Sequence, residues 1–223
     1  NNCGLLQLRE ITEPDYLYKE YFYRTATNDT MRKDLRELVD QVLEISNPKS
    51  KDIIVDIGAN DCTMLNFYEE KFDLVGFEPA KNIQFLDKGK KIKLINNYFN
   101  SKNFKDFFGS KKAKIITSCA MFYDLENPIQ FVSDIEEILD NDGVWCCQIS
   151  YLDSMIRYNN FYDICHEHLS YHSIKSFENL IKQFKLKIFN AEINEVNGGS
   201  IRLYVCKENC EKYNSKNFFE NLK

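Results

Sequence analysis

An apolar run, Ile53-Ile54-Val55-Asp56-Ile57, opens into the turn Gly58-Ala59-Asn60-Asp61. About twenty residues later a second run, Leu74-Val75-Gly76-Phe77, ends on Glu78, and Pro79 stops its strand. Few folds accept this pair. A nearly continuous apolar strand is buried on both faces, which is the habit of parallel sheets. The glycine turn after it lets backbone approach a ligand, and an acid at the tip of the next strand can accept both hydroxyls of a ribose. Only Gly58 of the dinucleotide glycine pattern is present. Ala59 and Cys62 stand where further glycines would admit a pyrophosphate. The pattern therefore fits a nucleoside without phosphates, and S-adenosylmethionine (SAM) is the ligand of that description.

The rest of the chain keeps the alternation. Strands are expected over 52–57, 73–77, 92–95, 113–118, 143–150, 185–194 and 200–206, with helices over 61–70, 80–87, 128–139 and 174–184. This order predicts a parallel sheet covered on both faces. Asn197-Gly198-Gly199 leaves no room for a helix between the last two strands, so they should form an antiparallel hairpin. The expected fold class is α/β, Rossmann-like, with seven mostly parallel strands and a C-terminal hairpin: the arrangement of class I methyltransferases. Residues 14–46 read as one helical segment, with Leu35, Leu38, Val39, Val42 and Leu43 at helical spacing and Asn47-Pro48 ending it. The organisation expected is a helical lid over 1–48, a SAM-binding domain over 49–208 and a tail over 209–223.

Composition narrows the partners. A net charge of −5 with no basic block argues against nucleic acid. No apolar run reaches membrane-span length and no secretory leader is read. Several of the eight cysteines lie within strand-like runs and none forms a C-x-x-C pair. Reduced thiols in a cytoplasm are the expectation.

Four groups of residues could carry chemistry. In the nucleoside group, Asp56 and Gly58 would meet the amino acid part of SAM, with Asn60 and Asp61 following in the turn. Glu78 and Pro79 would meet the ribose. Asn97 and Tyr98, after the third strand, would flank the adenine, and Ser118, at the end of the fourth, would face the same crevice. The second group is Cys165-His166-Glu167-His168-Leu169-Ser170-Tyr171-His172, which holds all three histidines. A metal site is one reading, since His168 and His172 are four apart, but the glutamate precedes both rather than lying between them. A polar surface loop is another. General base catalysis is favoured, because histidine titrates near neutrality and a neighbouring carboxylate can orient it. No metal is expected. The third group, Tyr16 to Arg32, carries Tyr21, Tyr23 and Arg24 and reads as a lid that excludes water. The fourth, Asn197 to Arg202, is a plain turn or a substrate contact in which Asn197 and Arg202 bind, Arg202 through paired donors.

With these groups assembled, the chain resembles the SAM-dependent C-methyltransferases of deoxysugar biosynthesis, which act on nucleotide-linked 4-keto sugars. The matching segments are CGLLQL, YFYRTATNDTMR, DIGANDCTML, VGFEPAKNI, AKIITSCAMFYDLENP, ICHEHLSYH and NGGSIRLYV. The first glycine element is widespread among methyltransferases; the HEHL and NGGS-R elements in this order are more specific. The resemblance implies that His168 is the base with Glu167 beside it, and that Tyr21 or Tyr23 lies at the reaction centre. Arg24, His166, Tyr171, Asn197 and Arg202 are assigned to the sugar. It further implies an enolate attacking the methyl of SAM, with S-adenosylhomocysteine (SAH) as product. An O-methyltransferase on a capsular or lipopolysaccharide sugar would use the same base, and a SAM-binding module without catalysis is the reading from another class. The family's zinc domain uses four cysteines, of which Cys3 alone has a counterpart, so no zinc site is expected. The family's further Rossmann-like domain follows the hairpin, and the sequence ends soon after it, at Lys223. Cys62 replaces the usual glycine of the turn, and Ser170 and His172 replace acidic and aromatic residues.

Overall fold

Five consecutive buried residues, Ile53–Ile57, form β2, an interior strand in the computed structural model, which describes residues 3–85 and 89–213. It pairs in parallel with β3 (Asp73–Phe77), which pairs in parallel with β4 (Ile92–Ile95). β5 is Ala113–Cys119 and β6 is Leu139–Ser150. β8 (Leu186–Asn194) and β9 (Ser200–Lys207) form the antiparallel hairpin, and β9 also pairs antiparallel with β6. The sheet runs β4-β3-β2-β5-β6-β9-β8. The parallel sheet with a C-terminal hairpin stands as its pattern predicts. A separate short ladder joins β1 (Leu6–Gln7) to β7 (Ser170–Tyr171).

The helices depart further from expectation. The segment 14–46 is not one helix. α1 covers Pro14–Tyr18 and α2 covers Asp29–Ser46, with an extended strap and one 3-10 turn between them. α2 buries Met31, Leu35, Leu38, Val39 and Val42 on one stripe. Asn28 caps its start by accepting from the Met31 amide, and left-handed Asn47 closes its end. The helix expected over 61–70 is reduced to a 3-10 turn at Leu65–Phe67. Asn60 and Cys62 both hold positive φ, at 50° and 62°, which stops α propagation. Residues 80–85 carry no helix, and residues 86 and 87 of that expected element lie outside the described residues. Two helices were not foreseen: α3 (Ser101–Phe108), capped by Asn100, and α5 (Leu152–Tyr158). α4 (Pro128–Ile138) and α6 (Ile174–Ile181) match their expected places, and a Ser173–Ser176 capping box starts α6.

Two compact units can be distinguished. One comprises residues 13–117 and 138–144, the other residues 3–12, 118–137 and 145–213. The expected tail therefore falls partly in the second unit, and its residues 214–223 lie outside the described residues. The core of the second unit centres on Trp145, packed against Phe122 and Phe177 at 5.8 and 5.6 Å. Among the described residues no helix is long and apolar enough to cross a membrane.

In the first unit β3 lies tightly against the glycine turn. A Cβ on Gly76 would sit 2.9 Å from Ala59 Cβ and 3.1 Å from Leu65 Cδ1. Gly76→Ala should therefore overpack this point and cost about 1–3 kcal/mol, read as a lower urea midpoint at unchanged slope.

Candidate active site

The first unit carries most of the residues that the sequence assigns to a nucleoside. Asp56 is buried, and its Oδ1 accepts from Thr117 Oγ1 at 2.7 Å. Burial pushes its carboxyl up to about 7; the Thr117 hydroxyl pulls the other way and Glu78 adds to the rise. After it the chain turns through Gly58 at φ 73°, and the Gly58 and Ala59 amides both donate to the Phe77 carbonyl. Glu78 then ties two turns together. Its Oε2 accepts from the Asn60 amide and its Oε1 from the Ala80 amide, each at 2.8 Å. Burial raises its pKa, while the two amides and the Arg24 charge oppose the rise. Each carboxylate oxygen keeps a further lone pair, so the group can still accept from two hydroxyls. The acid and the glycine turn thus fit the ribose of a nucleoside.

A strap of residues 19–28 is tied to both turns. Asn60 Oδ1 accepts from the Thr25 amide at 3.1 Å, and Asn60 Nδ2 donates to the Tyr23 carbonyl at 3.2 Å. Asp61 Oδ2 accepts from the Ala26 amide at 2.8 Å, and its Oδ1 accepts from Thr63 Oγ1 at 2.6 Å. On the other side the Tyr21 amide donates to Asn82 Oδ1 at 2.9 Å. The lid expected as a helix is therefore extended, because its backbone groups are held by side chains of the turns. Tyr21 and Tyr23 are half-buried, and burial together with Asp61 raises the Tyr23 phenol.

Several expected positions need correction. Arg24 was assigned to substrate, but its guanidinium donates to the Tyr21, Tyr23 and Asn82 carbonyls at 2.6, 2.9 and 2.9 Å. It holds the strap. The side chains of Asn60 and Asp61 likewise face the strap, which leaves the Asn60 amide as that pair's contribution to the cradle. Asn97 and Tyr98 are exposed after β4, and Tyr98 Oη donates to Asp15 Oδ1 at 3.3 Å. Asn96, not singled out from the sequence, braces the tip of β3 by donating to the Glu78 and Ala80 carbonyls. Pro79 is half-buried between those two residues.

In the second unit the three histidines separate by burial. His166 is exposed and Glu167 and His168 are half-buried. His168 Nδ1 lies 2.7 Å from the Asp163 backbone carbonyl. A carbonyl only accepts, so Nδ1 carries the proton and Nε2 presents a lone pair. The orienting partner is thus the Asp163 carbonyl and not the Glu167 carboxylate that the sequence put forward. The Tyr123 ring packs 4.4 Å from the imidazole, centroid to centroid. The Asp163 carboxyl is buried, which raises its pKa, and the His168 charge acts to lower it. No periodic pattern marks Asp163 in the sequence; only its place just upstream of the histidine cluster could have drawn notice.

His172 is a core residue. Its Nε2 meets Ser170 Oγ at 2.9 Å, and its ring packs against Phe122 and Phe177 at 5.3 and 6.1 Å. The segment is not helical, so the four-residue spacing of His168 and His172 does not put them on one helix face. Tyr171 is also buried, in the β1–β7 ladder, and not displayed to a substrate. Ser118 is fully buried and accepts from Trp145 Nε1 at 2.9 Å, so it serves the core and not a crevice. Arg202 is 1% exposed on β9. Its Nε donates to Gln148 at 2.9 Å and its Nη1 lies 3.7 Å from Glu192, which answers its charge within the sheet. Asn197 is exposed at the hairpin tip with φ 51°.

Two titrations follow. Asp56 binds a proton more tightly folded than unfolded, so its own contribution to stability should fall as pH rises from about 4 to 7. Asp56→Asn should therefore gain stability over the parent above pH 7 and lose that advantage near pH 4, in urea unfolding at each pH. Burial lowers His172 from 6.5 to about 4, so its contribution, opposite in sense to that of Asp56, should fall as pH drops through that window. His172→Phe should flatten this acid limb in the same measurement.

Comparison with known proteins bears on the family and the fold. A family model described as a methyltransferase domain matches residues 28–190. The C-methyltransferase NovU of Streptomyces niveus is 25% identical over 204 residues, which are 91% of this chain and 49% of the relative. The chain thus spans about half the length of the curated relative it matches. The plantazolicin methyltransferase BamL, solved with a triazolic desmethylPZN analog and SAH, superposes with a TM-score of 0.62 at 12% identity, covering 81% of this chain and 86% of that one. An S-adenosylmethionine-dependent methyltransferase from Clostridium acetobutylicum gives 0.60 at 12% identity, covering 82% and 93%. At these identities the two structures speak to the fold alone.

Proposed function

Because this chain belongs to the methyltransferase-domain family, we propose that it is a SAM-dependent methyltransferase acting at carbon on a nucleotide-linked keto sugar. The cofactor assignment is supported by Gly58 and Glu78, which suit a nucleoside without phosphates, and by the SAH complexes among its structural relatives. The acceptor assignment rests on the similarity to a C-methyltransferase and on the HEHL and NGGS-R segments.

Carbon acceptors need a base. The observation that carries this reading is the Asp163 carbonyl on His168 Nδ1, which leaves the lone pair on Nε2. His168 Nε2 takes the proton α to the ketone, and the resulting enolate carbon forms the new C–C bond. When bound, SAM supplies an electrophilic methyl whose S–C bond breaks with the electron pair passing to sulfur. Glu78 holds the ribose, and the strap through Tyr21 and Tyr23 screens the cradle from water. Positioning and general base catalysis supply the acceleration. Asn197 and His166, both exposed, are the candidates for contact with the sugar.

His168→Ala should lower turnover about 10²–10⁴-fold while calorimetric SAH affinity stays at the parent value. Glu78→Ala should do the reverse, weakening SAH binding about tenfold or more. Parent-level turnover in His168→Ala would remove the base assignment. With a ¹³C-methyl-labelled cofactor, the product carbon shift separates a C-methyl from an O-methyl group.

A further inference from the structure

We propose that Asn160 is the positioning residue of His168, clamping the glycine turn of the hairpin to the segment that fixes the imidazole. The inference rests on the assignment of His168 as base.

The clamp is a short path through named groups. Asn160 is 9% exposed, and its Nδ2 donates to the Gly198 carbonyl. Its own amide donates to Met155 O at 2.9 Å, just beyond left-handed Asn159, so the chain makes a sharp corner on leaving α5. The single 3-10 turn Phe161–Asp163 starts from Asn160, and the third residue of that turn supplies the carbonyl on His168 Nδ1 at 2.7 Å. Only Phe161 and Tyr162 therefore separate the clamped Asn160 from the residue that sets the tautomer.

The hairpin side is built for close approach. Gly198 has φ 76°, and a Cβ there would sit 2.7 Å from Asn160 Nδ2 and would also strike Tyr162 Oη. A Cβ on Gly199, at φ 120°, would sit 2.6 Å from Ser154 Cβ on α5. The Tyr151 amide adds a bond to Gly199 O at 3.2 Å. The paired glycines of NGGS thus serve contact with α5 and the Asn160 corner, beyond what a hairpin turn alone would ask. The turn lies about thirty residues downstream of the base in sequence but bears on it through the clamp.

The consequence is chemical. Without the clamp the Asp163 carbonyl can swing away, and the imidazole then samples the tautomer with its proton on Nε2, which cannot act as base. The test is a long-range ¹H–¹⁵N correlation of the three imidazoles in the full chain, assigned with His166→Gln and His172→Gln, for the parent, Asn160→Ala and the isosteric Asn160→Asp. The parent should show His168 protonated on Nδ1. Both variants should show a mixture of tautomers, with kcat lower by roughly ten- to a hundredfold, the range found when a metal-ligating histidine loses its orienting partner, and with unchanged SAH affinity. An unchanged His168 tautomer in both variants overturns the proposal, whatever happens to turnover. A shifted tautomer with parent-level turnover supports the clamp and overturns the base assignment instead. If Asn160→Ala fails to fold, Asn160→Asp decides the matter, since it keeps the side-chain volume and puts an acceptor carboxylate where the donor met the Gly198 carbonyl.

Discussion

Glu78 is the constraint on which the nucleoside cradle depends. One buried carboxylate accepts an amide from the turn after β2 and another from the turn after β3, and so fixes the two strand ends to each other. A carboxylate in that position pays a desolvation cost, which the two amides offset. The arrangement leaves each carboxylate oxygen a further lone pair with which to accept. The strap then builds on the same turn, because Asn60 uses its amide toward Glu78 and its side chain toward Thr25 and Tyr23.

The sheet was legible because burial on both faces leaves a plain signature, as in Ile53–Ile57, and because Asn197-Gly198-Gly199 has room only for a tight turn. The short elements were not. The extent of the helix after Gly58 depends on left-handed Asn60 and Cys62, and nothing in a cysteine announces positive φ. α3 was missed although Asn100 and Gly109 flank it, since its eight residues carry too little periodicity to stand out. The strap was read as helix because its aromatic residues suit a helix face. Its conformation is decided by Asn60, Asp61 and Asn82, which lie far away in sequence.

The candidate site divided the same way. Residue types at strand tips, Asp56 and Glu78, were legible because topology alone places them. Orientation was not. His166, His168 and His172 look alike in a row, and only burial sorts them into an exposed residue, an oriented imidazole and a core packing group. Arg202 and Ser118 show the opposite error: polar residues near strand ends were given to ligands when the buried sheet required them for its own polar groups.

The strap has one further property. Its ties are made by its own backbone, at the amides of Tyr21, Thr25 and Ala26 and the carbonyls of Tyr21 and Tyr23, while the side chains that grip it belong chiefly to the turns. Backbone groups survive most substitutions. The exposed side chain of Phe22, which packs on Tyr21 of the same strap, can therefore change without loosening the cover. Change at Asn60, Asp61 or Asn82 has no such freedom, since each carries the anchorage of a segment it does not belong to.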